Sequence, residues 1–171
     1  ERELSDTARA ALKQIEEKKY EAVFAAKGIN TERIKKYGFA FQGKKVLIAD
    51  RALMMRKSIV KGALESGGYE VVGATDSIRE CLELAQKFTP DIVITEVILR
   101  ETESDTDQTG ITLTKALREQ NPDIAVVFLS DMTQDSFRRL AFAAGAKGFL
   151  SKSVIHPSQK LLDELEKTLN A

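Results

Sequence analysis

Pro90-Asp91-Ile92-Val93-Ile94-Thr95-Glu96 reads as a strand that is apolar on both faces and delivers a carboxylate at its carboxyl end. A short continuous apolar run between a proline and a polar stretch suits the interior of a parallel sheet, where helices cover both sides. Four other runs share this character: Val46–Ala49 ending at Asp50, Tyr69–Ala74, Ile124–Leu129 ending at Ser130, and Gly148–Ser151 leading to Lys152. Segments of helical period separate them. Leu53–Ser66 carries Met55, Ile59 and Ala63 on one stripe and is stopped by Gly67-Gly68. Ser77 and Glu80 stand at capping-box spacing before a helix through Leu82, Leu84, Ala85 and Phe88. Ile111–Glu119 ends at the Asn121-Pro122 break, and a helix with Phe137, Leu140, Ala141 and Ala144 stops at Gly145. The last helix, Ser158–Leu169, repeats Leu161, Leu162, Leu165 and Leu169. The alternation predicts an α/β domain with a parallel sheet over residues 43–171, preceded by an extension over residues 1–42.

In an open parallel sheet, ligands bind in the crevice beyond the carboxyl ends of the strands. Asp50, Glu96, Ser130 and Lys152 each follow a strand, so the topology gathers them on one rim. One polar residue after a strand merely begins a loop, whereas four of them converging make a candidate site.

The segments Val46–Asp50, Pro90–Glu96, Phe128–Ser130 and Ala146–Lys152 resemble, in order, the signature segments of bacterial two-component response-regulator receiver domains. The resemblance implies a flavodoxin-like, doubly wound five-stranded sheet of order 2-1-3-4-5 and a non-enzymatic signalling role. In that family an aspartate after strand three accepts a phosphoryl group from a histidine kinase, and two acids after strand one help to hold magnesium. A hydroxyl after strand four and a lysine after strand five contact the phosphoryl group. Asp50, Ser130 and Lys152 match this pattern, while Glu96 replaces the phosphoacceptor aspartate and Arg51 the second acid.

Phosphoryl transfer depends on positioning, and the extra methylene of Glu96 moves its carboxylate forward by about one carbon–carbon bond. Arg51 exchanges a ligand for a repelling charge at the metal position, and magnesium demands near-octahedral oxygen ligation. Arg51 is expected to form a bidentate pair with Glu96 or Asp50, supplying internally the charge of the metal. Turned to solvent, it would leave the cluster without that cation. Asp131, where the family prefers a small residue, adds negative charge beside Ser130, and Ser153 stands where a proline following a cis bond is usual. These departures predict a pseudo-receiver with no cofactor, magnesium binding only if the pocket is still competent. The rival readings are a conventional phosphorylated regulator and a fragment of a nuclease–receiver fusion.

Phe149 occupies the family's switch-aromatic position; the alternative is that it simply fills the core. If Glu96 with Lys152 imitates the phosphorylated state, the face formed by helix four, strand five and helix five is held in one arrangement. That face and the N-terminal extension are the expected contact surfaces for a protein partner or a second copy.

The 26 basic and 26 acidic residues cancel, so charge supplies no reason to expect nucleic acid or an anionic membrane. No apolar run approaches the ~20 residues of a membrane span, and the single cysteine, Cys81, has no partner for an intrachain disulfide. A bacterial cytoplasmic protein is the expectation. Glu1 in place of Met is what a piece of a longer protein would show. Residues 100–109 alternate carboxylates with polar residues but lack the central glycine and terminal glutamate of a calcium loop, so a solvated loop is expected. His156 has no partner ligands and reads as a surface or capping residue.

The extension combines an amphipathic helix through Leu4, Ala8, Leu12 and Ile15, a second helical stretch through Tyr20 and Phe24, and an alternating strand, Tyr37–Phe41. Ala11–Tyr20 with Tyr37–Phe41 resembles the tail of the restriction-like nuclease domain found behind certain bacterial ATPases. That family's metal-binding carboxylates and catalytic lysine lie upstream of the tail, so nuclease activity does not carry over. A helical dimerisation or docking arm is the equal alternative.

Overall fold

The computed structural model describes residues 9, 10, 12–14, 43–99 and 109–171. The chain divides into two compact units, Glu1–Gln42 and Gly43–Ala171. In the first, residues 9, 10 and 12–14 are helical. The expected second helical stretch, the Tyr37–Phe41 strand and nearly all of the acidic 100–109 segment lie outside the described residues.

In the second unit, strands β1 (Lys45–Ala49), β2 (Glu70–Thr75), β3 (Ile92–Thr95), β4 (Ala125–Ser130) and β5 (Gly148–Ser151) form one sheet of order β2-β1-β3-β4-β5. Every neighbouring pair is parallel. The connecting helices are α1 (Val60–Ser66), α2 (Ile78–Phe88), α3 (Thr109–Gln120), α4 (Asp135–Ala143) and α5 (Ser158–Asn170). Class, strand order and direction are those expected from the alternation and the resemblance.

Successive strand residues face opposite sides of the sheet, and both sides are covered. Val46, Ile48, Ile94 and Leu129 pack with Leu64 of α1 and Leu161 and Leu165 of α5. Leu47, Val93, Phe128 and Phe149 pack with Cys81 of α2, Leu117 of α3 and Ala141 of α4. Each such aliphatic side chain contributes roughly 1.5–3 kcal/mol by leaving water, which is why the strands read as unbroken apolar runs. Among the described residues, no helix is long and apolar enough to cross a membrane.

Two local features depart from the sequence reading. The segment is helical from residue 53 as expected, but a π-helical turn, Met55–Ile59, intervenes before α1. Leu53 and Met54, just before this turn, are exposed at 52% and 65%. The capping box of α2 closes by another route. Ser77 Oγ accepts from Glu80 N at 3.4 Å, yet the Glu80 carboxylate accepts a hydrogen bond from the Thr75 hydroxyl. Thr75 Oγ1 in turn accepts from Ser77 N at 3.1 Å, so the threonine relays the second half of the motif. Cys81 is fully buried; burial first, and then the charge of Glu80, push its thiol up to about 12. His156 is exposed and precedes Pro157 through a cis bond, while the Lys152–Ser153 peptide is not cis.

Candidate functional site

The parallel ladder continues one residue beyond β1 and β3. Asp50 N donates to Thr75 O at 3.0 Å and Glu96 N to Ala49 O at 2.9 Å, which fixes the two acidic residues side by side at the rim. Both are buried, at 4% and 7% exposure. Lys152 opens a short 3-10 turn, Lys152–Val154, after β5. Its side chain spans the end of β4 and places Nζ 2.8 Å from Asp50 Oδ2 and in closer contact with Glu96 Oε2.

Each carboxylate divides its oxygens in the same way. Asp50 Oδ1 accepts from Ala52 N at 2.7 Å, and Glu96 Oε1 accepts from Val97 N at 2.9 Å, leaving one oxygen of each for the ammonium. For Lys152, burial is the largest single influence and lowers its pKa. The hydrogen bonds and charges of Asp50 and Glu96 together outweigh it, so the ammonium is held above the ordinary lysine value. A buried charge is tolerated where partners satisfy it, and here one cation serves two anions.

Arg51 does not take part. Its side chain is exposed and, among the described residues, makes no ion pair; only its carbonyl is engaged, by Arg56. This corrects the expected bidentate pair. The bend after β1 carries Arg51 outward, and Lys152 has already filled the place between the acids. Asp131 is exposed as well, its carbonyl accepting from Thr133 N at 3.1 Å. Ser130 is buried beside the cluster, but its Oγ accepts from Met132 N at 3.0 Å and has no bond to Glu96.

Arg56 is the residue that sequence reasoning missed. From the π-helical turn its Nη1 donates to Asp50 O at 2.9 Å and Arg51 O at 3.0 Å, and its Nη2 pairs with Asp76 Oδ2 at 2.9 Å. It ties the loop after β1 to the loop after β2. A helical wheel of ordinary period gives no sign of this, because the π turn changes which way the side chain points. Gly110 matters for a related reason. A Cβ there would lie 2.1 Å from Glu96 O, so the bare backbone lets α3 begin against the acceptor position. Gly110 N donates to Val97 O at 2.8 Å, completing the approach.

Phe149 is buried and stacks parallel on Phe128, with centroids 5.5 Å apart and a 2° interplanar angle. The Arg138 guanidinium carbon lies 5.2 Å from the centroid of the Phe149 ring, and its Nη2 donates to Phe149 O at 3.4 Å. Contacts of the two ring types contribute on the order of 1 kcal/mol each.

Among the described residues, no group of three or more His, Cys, Asp or Glu side chains is arranged to hold a metal ion. Magnesium, implied by the receiver resemblance, finds two carboxylates whose four oxygens already accept from Ala52 N, Val97 N and Lys152 Nζ. That donor set does not fit an octahedral ion.

A family model described as response regulator receiver domain matches residues 46–166. The chain is similar to the chemotaxis protein CheY of Thermotoga maritima, 34% identical over 110 residues that cover 64% of this chain and 86% of that protein. It is similar to the response regulator GacA of Pseudomonas aeruginosa, 32% identical over 108 residues, covering 63% of this chain but only 48% of that longer protein. Among solved structures, the Vibrio cholerae chemotaxis protein CheY4 aligns with a TM-score of 0.62 at 29% identity, over 74% of this chain and 99% of that one.

Proposed function

Since the chain belongs to the response regulator receiver family, we propose that it is a two-component signalling module whose pocket has exchanged phosphate and magnesium for an internal cation. The observation that carries this reading is the ammonium of Lys152 shared between Asp50 Oδ2 and Glu96 Oε2. In the family pattern this lysine meets a phosphoryl oxygen; here it meets the carboxylate at the acceptor position itself. Glu96 is further committed to Val97 N, so an incoming phosphoryl donor would have to break both contacts before attack.

Output then proceeds by protein contact. Leu140 and Phe142 on α4 are exposed at 39% and 50%, on an element of the predicted α4–β5–α5 contact face. A protein partner or a second copy of the chain is the expected occupant, with the N-terminal extension as the other contact surface.

Acetyl phosphate with magnesium, followed by intact mass measurement, tests the reading. No adduct is expected on the wild-type chain, and the double variant Glu96→Asp with Arg51→Asp serves as the control in which the family's acids are restored. A stable gain of about 80 Da mapped to Glu96, one phosphoryl group, would instead make the protein a conventional receiver.

A further inference from the structure

Helix α4 is held to the domain by little. Its one buried residue is Ala141, Phe137 packs partly buried against the core, the N-cap Gln134 offers no side-chain cap, and Leu140 and Phe142 are exposed. Elements with so few buried contacts sit at the low end of local stability. Arg138 also joins it to β5: its guanidinium carbon lies 5.2 Å from the Phe149 ring centroid and its Nη2 donates to the Phe149 carbonyl at 3.4 Å. Phe149 is in turn stacked on Phe128 of β4, which is fully buried in the core.

We propose that Arg138 is a positioning residue that, with Phe128, clamps Phe149 inward and thereby fixes α4 on β5, independently of the charge state of the acidic pocket. The clamp's parts are an aromatic stack and a cation over a ring, and among the described residues none of them has a hydrogen bond or ion pair to Asp50, Glu96 or Lys152. Ser130, the pocket residue nearest in sequence to α4, bonds Met132 N rather than Glu96. The presentation of Leu140 and Phe142 is set locally. This goes beyond the pocket reading and does not rest on it: phosphorylation of Glu96 would end that reading and leave the clamp in place.

The test places 4-fluorophenylalanine at position 149 of the full chain and follows its fluorine resonance and its broadening by a soluble paramagnetic agent. The wild-type ring should give one protected resonance. Arg138→Ala should raise the exposed population about tenfold, equivalent to about 1.4 kcal/mol, and Arg138→Lys, which keeps a cation over the ring, should recover part of the protection. Glu96→Gln should leave the resonance unchanged. A ring that stays protected in Arg138→Ala, or exposure that lysine does not reduce, overturns the clamp. Release of the ring by Glu96→Gln to the extent seen in Arg138→Ala overturns its independence from the pocket.

Discussion

Lys152 Nζ donates to Asp50 Oδ2 at 2.8 Å although β5 and β1, the strands these residues follow, are separated in the sheet by β3 and β4. The same ammonium contacts Glu96 Oε2, so one side chain crosses the carboxyl edge and closes it. Two buried carboxylates and one partly buried ammonium, with a net charge of minus one, form the centre of the domain's rim.

Removing the cation leaves two buried carboxylates without their shared counter-charge. Lys152→Met should lower stability by about 3 kcal/mol, the range for breaking a buried ion pair from one side. Urea unfolding with an unchanged slope checks this. Magnesium should then raise the melting temperature of the variant and leave the wild type where it is, because only the variant has oxygens to offer.

The raised pKa of Lys152 gives a signed pH dependence. A group whose folded value lies above its unfolded value contributes fully below the unfolded value, and the contribution is lost as pH rises through the folded one. Cys81, pushed up to about 12 by burial and by Glu80, acts in the same direction from the ordinary thiol range upward. Stability should therefore fall progressively in alkali. Cys81→Ala should remove the part that begins in the ordinary thiol range and Lys152→Met the part that begins in the ordinary lysine range, as read from urea midpoints across the alkaline range.

The two arginines near Asp50 should behave oppositely. Arg51 is exposed and without an ion pair among the described residues, so Arg51→Ala should shift stability by no more than about 0.5 kcal/mol. Arg56→Ala removes bonds to Asp50 O and Arg51 O and leaves Asp76 without its guanidinium, and should cost about 2–3 kcal/mol. Equal effects in thermal unfolding would contradict the assignment.

This contrast marks the limit of what the sequence disclosed. The strand runs, their order and the convergence of Asp50, Glu96, Ser130 and Lys152 were legible, because continuous apolar runs and strand ends are one-dimensional features. The direction of a side chain at a bend is not, which is how Arg51 came to be assigned a pairing that Lys152 holds. Arg56 was hidden for the same reason, since the π turn alters its heading without altering the apolar stripe of Met55, Ile59 and Ala63. The relay from Ser77 through Thr75 to Glu80 likewise needs coordinates, because the capping-box spacing is satisfied either way.

Gly110→Ala probes the seam between α3 and the acceptor position. The added methyl would lie 2.1 Å from Glu96 O, a backbone atom, so α3 or the Glu96 backbone must move. The substitution should destabilise the domain by about 1–3 kcal/mol or more, against the gain that alanine normally brings to a helix. Thermal unfolding reads the cost, and the Lys152 side-chain ammonium resonance should shift as Glu96 is displaced.

That ammonium resonance is also the most direct probe of the proposed internal cation. With nitrogen-15 lysine labelling and Lys152→Met for assignment, magnesium is titrated to well above physiological concentration while the Lys152 Nζ signal is followed. A signal protected from solvent and unmoved by magnesium is the predicted result. A saturating shift or loss of the signal as magnesium enters between Asp50 and Glu96 would contradict it.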